Sequence, residues 1–278
     1  MSIKRNHGAG PLLFLLLAAC LPSQGQIIDC AATYSSDSYV VYLDELSIAS
    51  ASLKADQQLR VLMQQLKFTM GGFLEGVVTE LGSASPCVVN FCEGRKPRNV
   101  SDFDRPLIQK MDNQGVILEV WGMLDKKTSS GINTAHANIY CLLVPVWIKT
   151  SGQQHQPGVQ VVEYVSRGSG SLDENLDSLA NKPQLRIFVE AGVGINKLLN
   201  KEYDDARTSI CAALGHMDAY LASKGSVPSA KEQALVEYLK LAAKETIQQA
   251  NKDPHYTGGL QLLDENAECH CKENGGRP

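Results

Sequence analysis

The chain has 278 residues, 20% of them charged, and a formal net charge of −4 at pH 7. This balance lacks the basic excess that a phosphate backbone attracts, so we expect no nucleic-acid partner. A chain of this length can bury a substantial core and is expected to form one large domain or two modest ones.

The N-terminal segment predicts export. Lys4 and Arg5 precede an apolar run from Pro11 to Ala19, an arrangement typical of a secretory signal peptide. The run is too short for a membrane-spanning helix, which needs about 20 apolar residues. We therefore interpret residues 1–19 as a signal peptide that is removed.

The end of this run carries a more specific signal. Leu17-Ala18-Ala19-Cys20 resembles the lipobox of bacterial lipoproteins, which implies that Cys20 becomes the first mature residue and carries the lipid. In the lipoproteins of didermal bacteria, a residue such as Leu21 in place of Asp implies anchoring on the periplasmic side of the outer membrane. The alternative is an ordinary signal peptide cut after Ser23-Gln24-Gly25, which would leave a periplasmic or secreted protein.

Eight cysteines are expected to form disulfides in an oxidising compartment. If Cys20 is lipidated, seven remain, so at least one thiol is free or intermolecular. Cys87 and Cys92 are close enough in sequence to bridge across a short loop. The ends of the chain can be tied together by Cys30, which would pair with one of two cysteines near the C-terminus, Cys269 or Cys271.

Cysteines elsewhere are expected to be inert or structural. Cys141 lies in a predicted buried strand and Cys211 in a predicted buried helix, and both are interpreted as small apolar residues. Cys269-His270-Cys271 offers soft ligands, but zinc sites use Cys-x₂₋₄-Cys spacing with a second ligand pair. The sequence favours a disulfide or a tail here, and it predicts no metal and no cofactor.

Residues 53–166 are predicted to form a small α/β domain after a lead-in, 20–52, that holds a strand from Tyr39 to Leu43. Apolar residues recur at three- and four-residue steps from Leu59 to Val77 and predict an amphipathic helix. Gly71-Gly72 is expected to weaken or kink this helix. Strands are predicted at 86–92, 116–124, 135–148 and 159–165, the second and third forming a hairpin, with a helix near 103–112.

This order of elements resembles the small α/β domain at the N-terminus of TolB-type periplasmic proteins and of flagellar and curli assembly lipoproteins. In that family a strand reading v-l-e-G opens a hairpin, as Leu118-Glu119-Val120-Trp121-Gly122 does here. The resemblance implies a domain that binds protein partners and has no known catalysis.

A linker, 167–183, is predicted before a helical module, 184–253, and a cysteine-containing tail, 254–278. The module's first two helices resemble a tetratricopeptide repeat, with Gly194 in the first helix and Ala206, Ile210 and Ala213 at the offsets of the second. Glu190 and Lys197 replace its usual aromatic residues, so a plain helical hairpin stays an alternative. Ser229 to Glu232 predicts a capping box that opens a third helix.

The repeat resemblance implies a partner-binding surface, for which we take Asn196, Tyr203 and Arg207 as candidate residues. The sequence thus predicts an α+β protein in which a small α/β domain with a β-hairpin precedes a helical module. Its predicted role is a lipid-anchored, non-catalytic interaction or assembly protein that binds envelope proteins or peptides. The alternative is an envelope hydrolase whose site is assembled from dispersed residues: Glu119, His136 and the Arg95 loop.

Overall fold

The structure, a computed structural model, describes residues 39–81, 87–92, 103, 105–144, 163–171, 176–262 and 269. Its strands are β1 (Tyr39–Asp44), β2 (Ser47–Ile48), β3 (Cys87–Cys92), β4 (Val116–Ser129), β5 (Ile132–Leu143) and β6 (Glu163–Ser171). Its helices are α1 (Gln57–Glu80), α2 (Arg105–Asn113), α3 (Leu176–Ala180), α4 (Lys182–Leu199), α5 (Tyr203–Lys224) and α6 (Ala230–Lys252). The predicted α+β class is confirmed.

One mixed sheet forms the centre of the fold, with strand order β3-β1-β4-β5-β6 and the short β2 paired to β4. The interior strand β1 is parallel to both β3 and β4, with Val41 aligned to Val89 on one side and to Leu118 on the other. Every residue of β1 is buried, which suits a parallel strand covered on both faces.

The predicted hairpin is confirmed as β4–β5. Its two-residue turn, Ser130-Gly131, has positive φ at both positions, 50° and 78°, as a type I′ turn requires. Across the hairpin Trp121 is aligned with Tyr140, and their rings stack with centroids 5.4 Å apart. This pairing fixes the register of the two longest strands.

Helices cover the two faces of the sheet unequally. One face packs against α1, α3 and α4, with α5 and α6 extending the same apolar core outward. The other face is covered by α2, whose Met111 packs among Tyr42 and Trp121. No helix in the described part of the chain is both long and apolar enough to cross a membrane.

The predicted division into lead-in, α/β domain, linker and helical module does not match this architecture. The predicted lead-in contains β1, which pairs with both β3 and β4 in the parallel half of the sheet. The predicted linker holds the end of β6, which pairs with β5, and also α3. α4 packs directly on β4, where a Cβ at Gly192 would lie 2.9 Å from the backbone oxygen of Ile117. The sheet and the helices therefore share one core.

The glycine pair in α1 does not interrupt that helix, which is continuous from Gln57 to Glu80. A Cβ at Gly71 would come within 2.5 Å of the Phe91 ring, whereas one at Gly72 would meet no atom within 4 Å. Gly71 thus lets an aromatic ring of β3 lie against the helix. The helix thus continues through both glycines despite their low helix propensity.

Helices α4 and α5 form a close antiparallel hairpin. A Cβ at Gly194 would lie 3.0 Å from the backbone nitrogen of Ile210 and 3.1 Å from the carbonyl oxygen of Ala206. α5 ends at Lys224 and is capped by Gly225, whose φ of +60° suits a left-handed C-cap. The predicted capping box is confirmed at α6, where Ser229 and Glu232 bond to each other's backbone amides.

Candidate functional site

Two of the three predicted partner-binding residues are buried inside the protein. The Tyr203 hydroxyl donates to Asp253 Oδ2 at 3.0 Å, and Arg207 Nη1 donates to the Ala243 carbonyl on α6 at 3.2 Å. Asn196 is half-buried, and its Oδ1 accepts from Asn200. This prediction is corrected for Tyr203 and Arg207, because their side chains hold α5 to α6 and to the segment that follows α6.

That segment folds back over the start of α5. Tyr256 packs edge-on against Tyr203, with ring centroids 5.2 Å apart, and donates to Asp204 Oδ1 at 2.7 Å. Burial, then the hydrogen bond to Asp253 and its charge, raise the pKa of Tyr203 to about 12. The Asp253 pKa is lowered, first by the backbone amide of His255. The face expected to receive a partner is occupied by the chain itself.

A polar cluster missed from the sequence joins α1, α4 and α5. The Glu190 side chain, 1% exposed, accepts from Arg186 Nε at 3.0 Å and meets His216 Nδ1 at 2.7 Å. Arg186 also bridges to Glu80 on α1 at 2.8 Å. The four-residue spacing of Arg186 and Glu190 on one helix is enough to predict that they pair. No nearby residue in the sequence predicts that His216 joins them.

The dispersed residues of the hydrolase alternative do not converge. Glu119 on β4 is aligned with Leu142 of β5, whereas His136 of β5 is aligned with Asp125 of β4. Six residue steps along a strand separate these positions by about 20 Å, far beyond hydrogen-bond reach. Arg95 lies outside the described residues. Glu119 and His136 therefore do not form one catalytic centre.

Glu119 instead shares the α2-covered side of the sheet with a second fully buried carboxylate, Asp44. In the β1–β4 register Tyr42 is aligned with Glu119, and Asp44 lies two residues further along β1. Trp121 of the same face is also fully buried. Neither carboxylate is accessible to a substrate from solvent, so we assign them to the interior rather than to a site.

The cysteines depart from their predicted pairing. Cys269 bonds to Cys211, with Cα atoms 5.2 Å apart and a sequence separation of 58. Cys211 is therefore not an inert apolar residue, and Cys269 does not pair with Cys30. Cys141 is a free, buried thiol, and burial raises its pKa. Cys30 and Cys271 lie outside the described residues.

Cys87 and Cys92 do not bridge to each other. They occupy opposite ends of β3, which places their Cα atoms about 16 Å apart at the rise of a β-strand, whereas disulfide-bonded Cα atoms lie about 4.4–6.8 Å apart. Cys92 is disulfide-bonded, and its partner lies outside the described residues. Within those residues no group of three His, Cys, Asp or Glu side chains is placed to hold a metal ion.

The outer face of α1 carries an exposed apolar surface. Phe68 is 67% exposed and Val61 51% exposed, and their spacing of seven residues places both on one side of the helix. Gly72, also exposed, continues the row. We name this set, Val61, Gln65, Phe68 and Gly72, the α1 surface. An exposed row of this kind is a candidate contact for another molecule.

Comparisons with known proteins assign no family. No family model matches the chain, and no curated protein matches it. Among solved structures it is similar to a dodecamer of a PelC variant from Paraburkholderia phytofirmans, with 12% identity over 54% of this chain and 85% of that chain and a TM-score of 0.27. A TM-score this low carries no argument about fold or function.

Proposed function

We propose that this chain is an exported envelope protein, anchored by a lipid on Cys20, whose folded body binds other proteins. The main support for export is the disulfide between Cys211 and Cys269, because disulfides persist in oxidising compartments and are rare in reducing ones. Disulfide-bonded Cys92 adds to it. Both agree with the signal-peptide pattern and the lipobox-like Leu17–Cys20.

The interaction half rests on the α1 surface. Its central side chain, Phe68, exposes two thirds of its area, and exposed aromatic side chains are typical anchors of protein interfaces. The resemblances to a tetratricopeptide repeat and to the TolB-type domain support the same role. Burial of Tyr203 and Arg207, however, favours α1 over the helical hairpin as the contact.

Lipid attachment is tested by metabolic labelling with radiolabelled palmitate. Wild-type protein is expected to label, Cys20→Ala to be exported without label, and Cys141→Ala to label normally as the matched control. Mass spectrometry of the mature wild type should find a chain that begins at Cys20 and carries the mass of the lipid. An unlabelled wild type beginning at residue 26 would instead establish the ordinary signal peptide cut after Gly25.

Binding is tested by crosslinking in intact envelopes followed by affinity purification. We expect reproducible protein adducts that Phe68→Ser removes. Val227→Ser is the control, because Val227 is also exposed but lies in the loop between α5 and α6. Adducts that survive Phe68→Ser would remove the assignment to α1, and a protein without reproducible adducts would contradict the interaction role.

A further inference from the structure

We propose that the α1 surface binds a second copy of this chain, with the two α1 helices antiparallel and crossing near Phe68. This inference rests on the proposed interaction function and deepens it by naming a partner. Three properties of α1 support it: the position of Phe68, the glycines beside it, and the placement of opposite charges around it.

Phe68 lies at the middle of α1. The helix has 24 residues, a length of about 36 Å, and eleven of them precede Phe68. In a two-fold symmetric contact the residue on the axis meets its own copy. Two Phe68 rings at such a centre would cover each other, which removes from water the most exposed aromatic side chain of the α1 surface.

Glycines make the next turns of α1 open to close approach. A Cβ at Gly72 or at Gly76 would meet no atom within 4 Å, so the surface there is backbone with no side chain above it. With Phe68 on the axis, each Gly72 faces the region of Gln65 in the other copy. The long Gln65 side chain has room to lie over bare helix, and Val61 packs one turn further out.

The charges on α1 favour the antiparallel orientation. Arg60 lies eight residues before Phe68 and Glu75 seven residues after it, and both are exposed. At 3.6 residues per turn they are about 60° apart around the helix, so they share one flank. An antiparallel pair brings each Arg60 beside Glu75 of the other copy, which forms two ion pairs by symmetry. A parallel pair would instead place Glu75, about 20° from Phe68 around the helix, level with Glu75 of the other copy.

One helix from each copy gives a contact at the small, transient end of protein interfaces. We therefore expect association that depends on concentration rather than an obligate dimer. Anchoring both copies to one membrane would raise their effective concentration, as linkage does for other weak contacts. The test is accordingly made in intact cells with the full chain.

The experiment places a photo-crosslinking p-benzoylphenylalanine at position 68 of the full chain and co-expresses two copies with different tags. We expect a crosslinked species that carries both tags under reducing conditions. The same amino acid at Glu237, exposed on α6, should give none. Each single reversal, Arg60→Glu or Glu75→Arg, should reduce the yield about tenfold, and the double reversal should restore it.

The outcomes separate this inference from the function on which it rests. Loss of the adduct in both single variants and its return in the double variant support the antiparallel pair. An adduct unaffected by the reversals, or not restored by the double variant, overturns it. An adduct at position 68 with a different protein overturns the second-copy assignment and leaves the interaction role standing. The absence of any adduct, together with no partner in envelope crosslinking, overturns both.

Discussion

The substitution Gly194→Ala tests the packing of α4 against α5 in the helical hairpin. In an isolated helix this change is favourable, because alanine exceeds glycine in helix propensity by about 1 kcal/mol. At position 194, however, the new Cβ would meet Ile210 Cγ1 at 2.7 Å, the Ile210 nitrogen at 3.0 Å and the Ala206 carbonyl oxygen at 3.1 Å. Two of these atoms belong to the backbone of α5 and cannot rotate away.

The magnitude follows from two opposing terms. Overpacking a well-filled core costs typically about 1–3 kcal/mol, and a backbone neighbour places Gly194→Ala towards the upper end. After the helix gain, we expect a net loss of about 1–2 kcal/mol in the free energy of unfolding. Gly76→Ala is the matched control, since the same methyl group there meets no atom within 4 Å and should stabilise by about 0.5–1 kcal/mol.

The assay is urea unfolding of both variants beside wild type, with the slope checked for constancy. For a chain of this size, 1 kcal/mol shifts Tm by about 2–4 °C, so in thermal unfolding the Tm values of the two variants should shift in opposite directions and differ by at least about 3 °C. If Gly194→Ala stabilises the protein as much as Gly76→Ala does, α4 and α5 do not pack as closely as described, and the reasoning fails.

Three further predictions test other contacts. Burial alone would raise the pKa of Glu232, but its hydrogen bonds to Ser229 and Lys224 outweigh that effect and lower the pKa to about 2. Glu232→Gln should therefore lower the free energy of unfolding at pH 7, and this loss should shrink as the pH falls from about 4.5 to about 2. A loss that does not change with pH in urea unfolding would contradict this. Cys211→Ala opens a loop of 58 residues and should cost about 4 kcal/mol, checked by denaturant unfolding with and without reductant; no loss in the oxidised protein would refute the pairing. Tyr203→Phe should cost about 0.5–1.5 kcal/mol and leave envelope crosslinks unchanged, while lost crosslinks would return Tyr203 to the binding surface.

Local patterns in the sequence were enough to place most elements. The three- and four-residue steps from Leu59 to Val77 located α1, alternation located the β4–β5 hairpin, and Ser229 with Glu232 located the start of α6. Each of these signals lies within one element or one turn, where side-chain periodicity and capping chemistry act directly. The α+β class follows from them.

Local sequence patterns gave wrong predictions where contacts with distant elements determined the structure. Residues 168–171 are glycine- and serine-rich, a composition typical of a linker, yet they belong to β6 because β5 pairs with them. Gly71 lowers the helix propensity of α1, yet it admits the Phe91 ring. In both cases a contact with a distant element, which sequence spacing does not show, determined the local structure.

The sequence by itself predicted an export signal, and it determined the placement of the principal strands and helices and the supply of cysteines and charges along the chain. Only the tertiary structure decided that one core joins sheet and helices, that Cys269 reaches Cys211, and that Tyr203 and Arg207 are buried while Phe68 faces solvent. The physical reason is range. Periodicity and capping act over a few residues, whereas burial and pairing depend on which distant elements pack together.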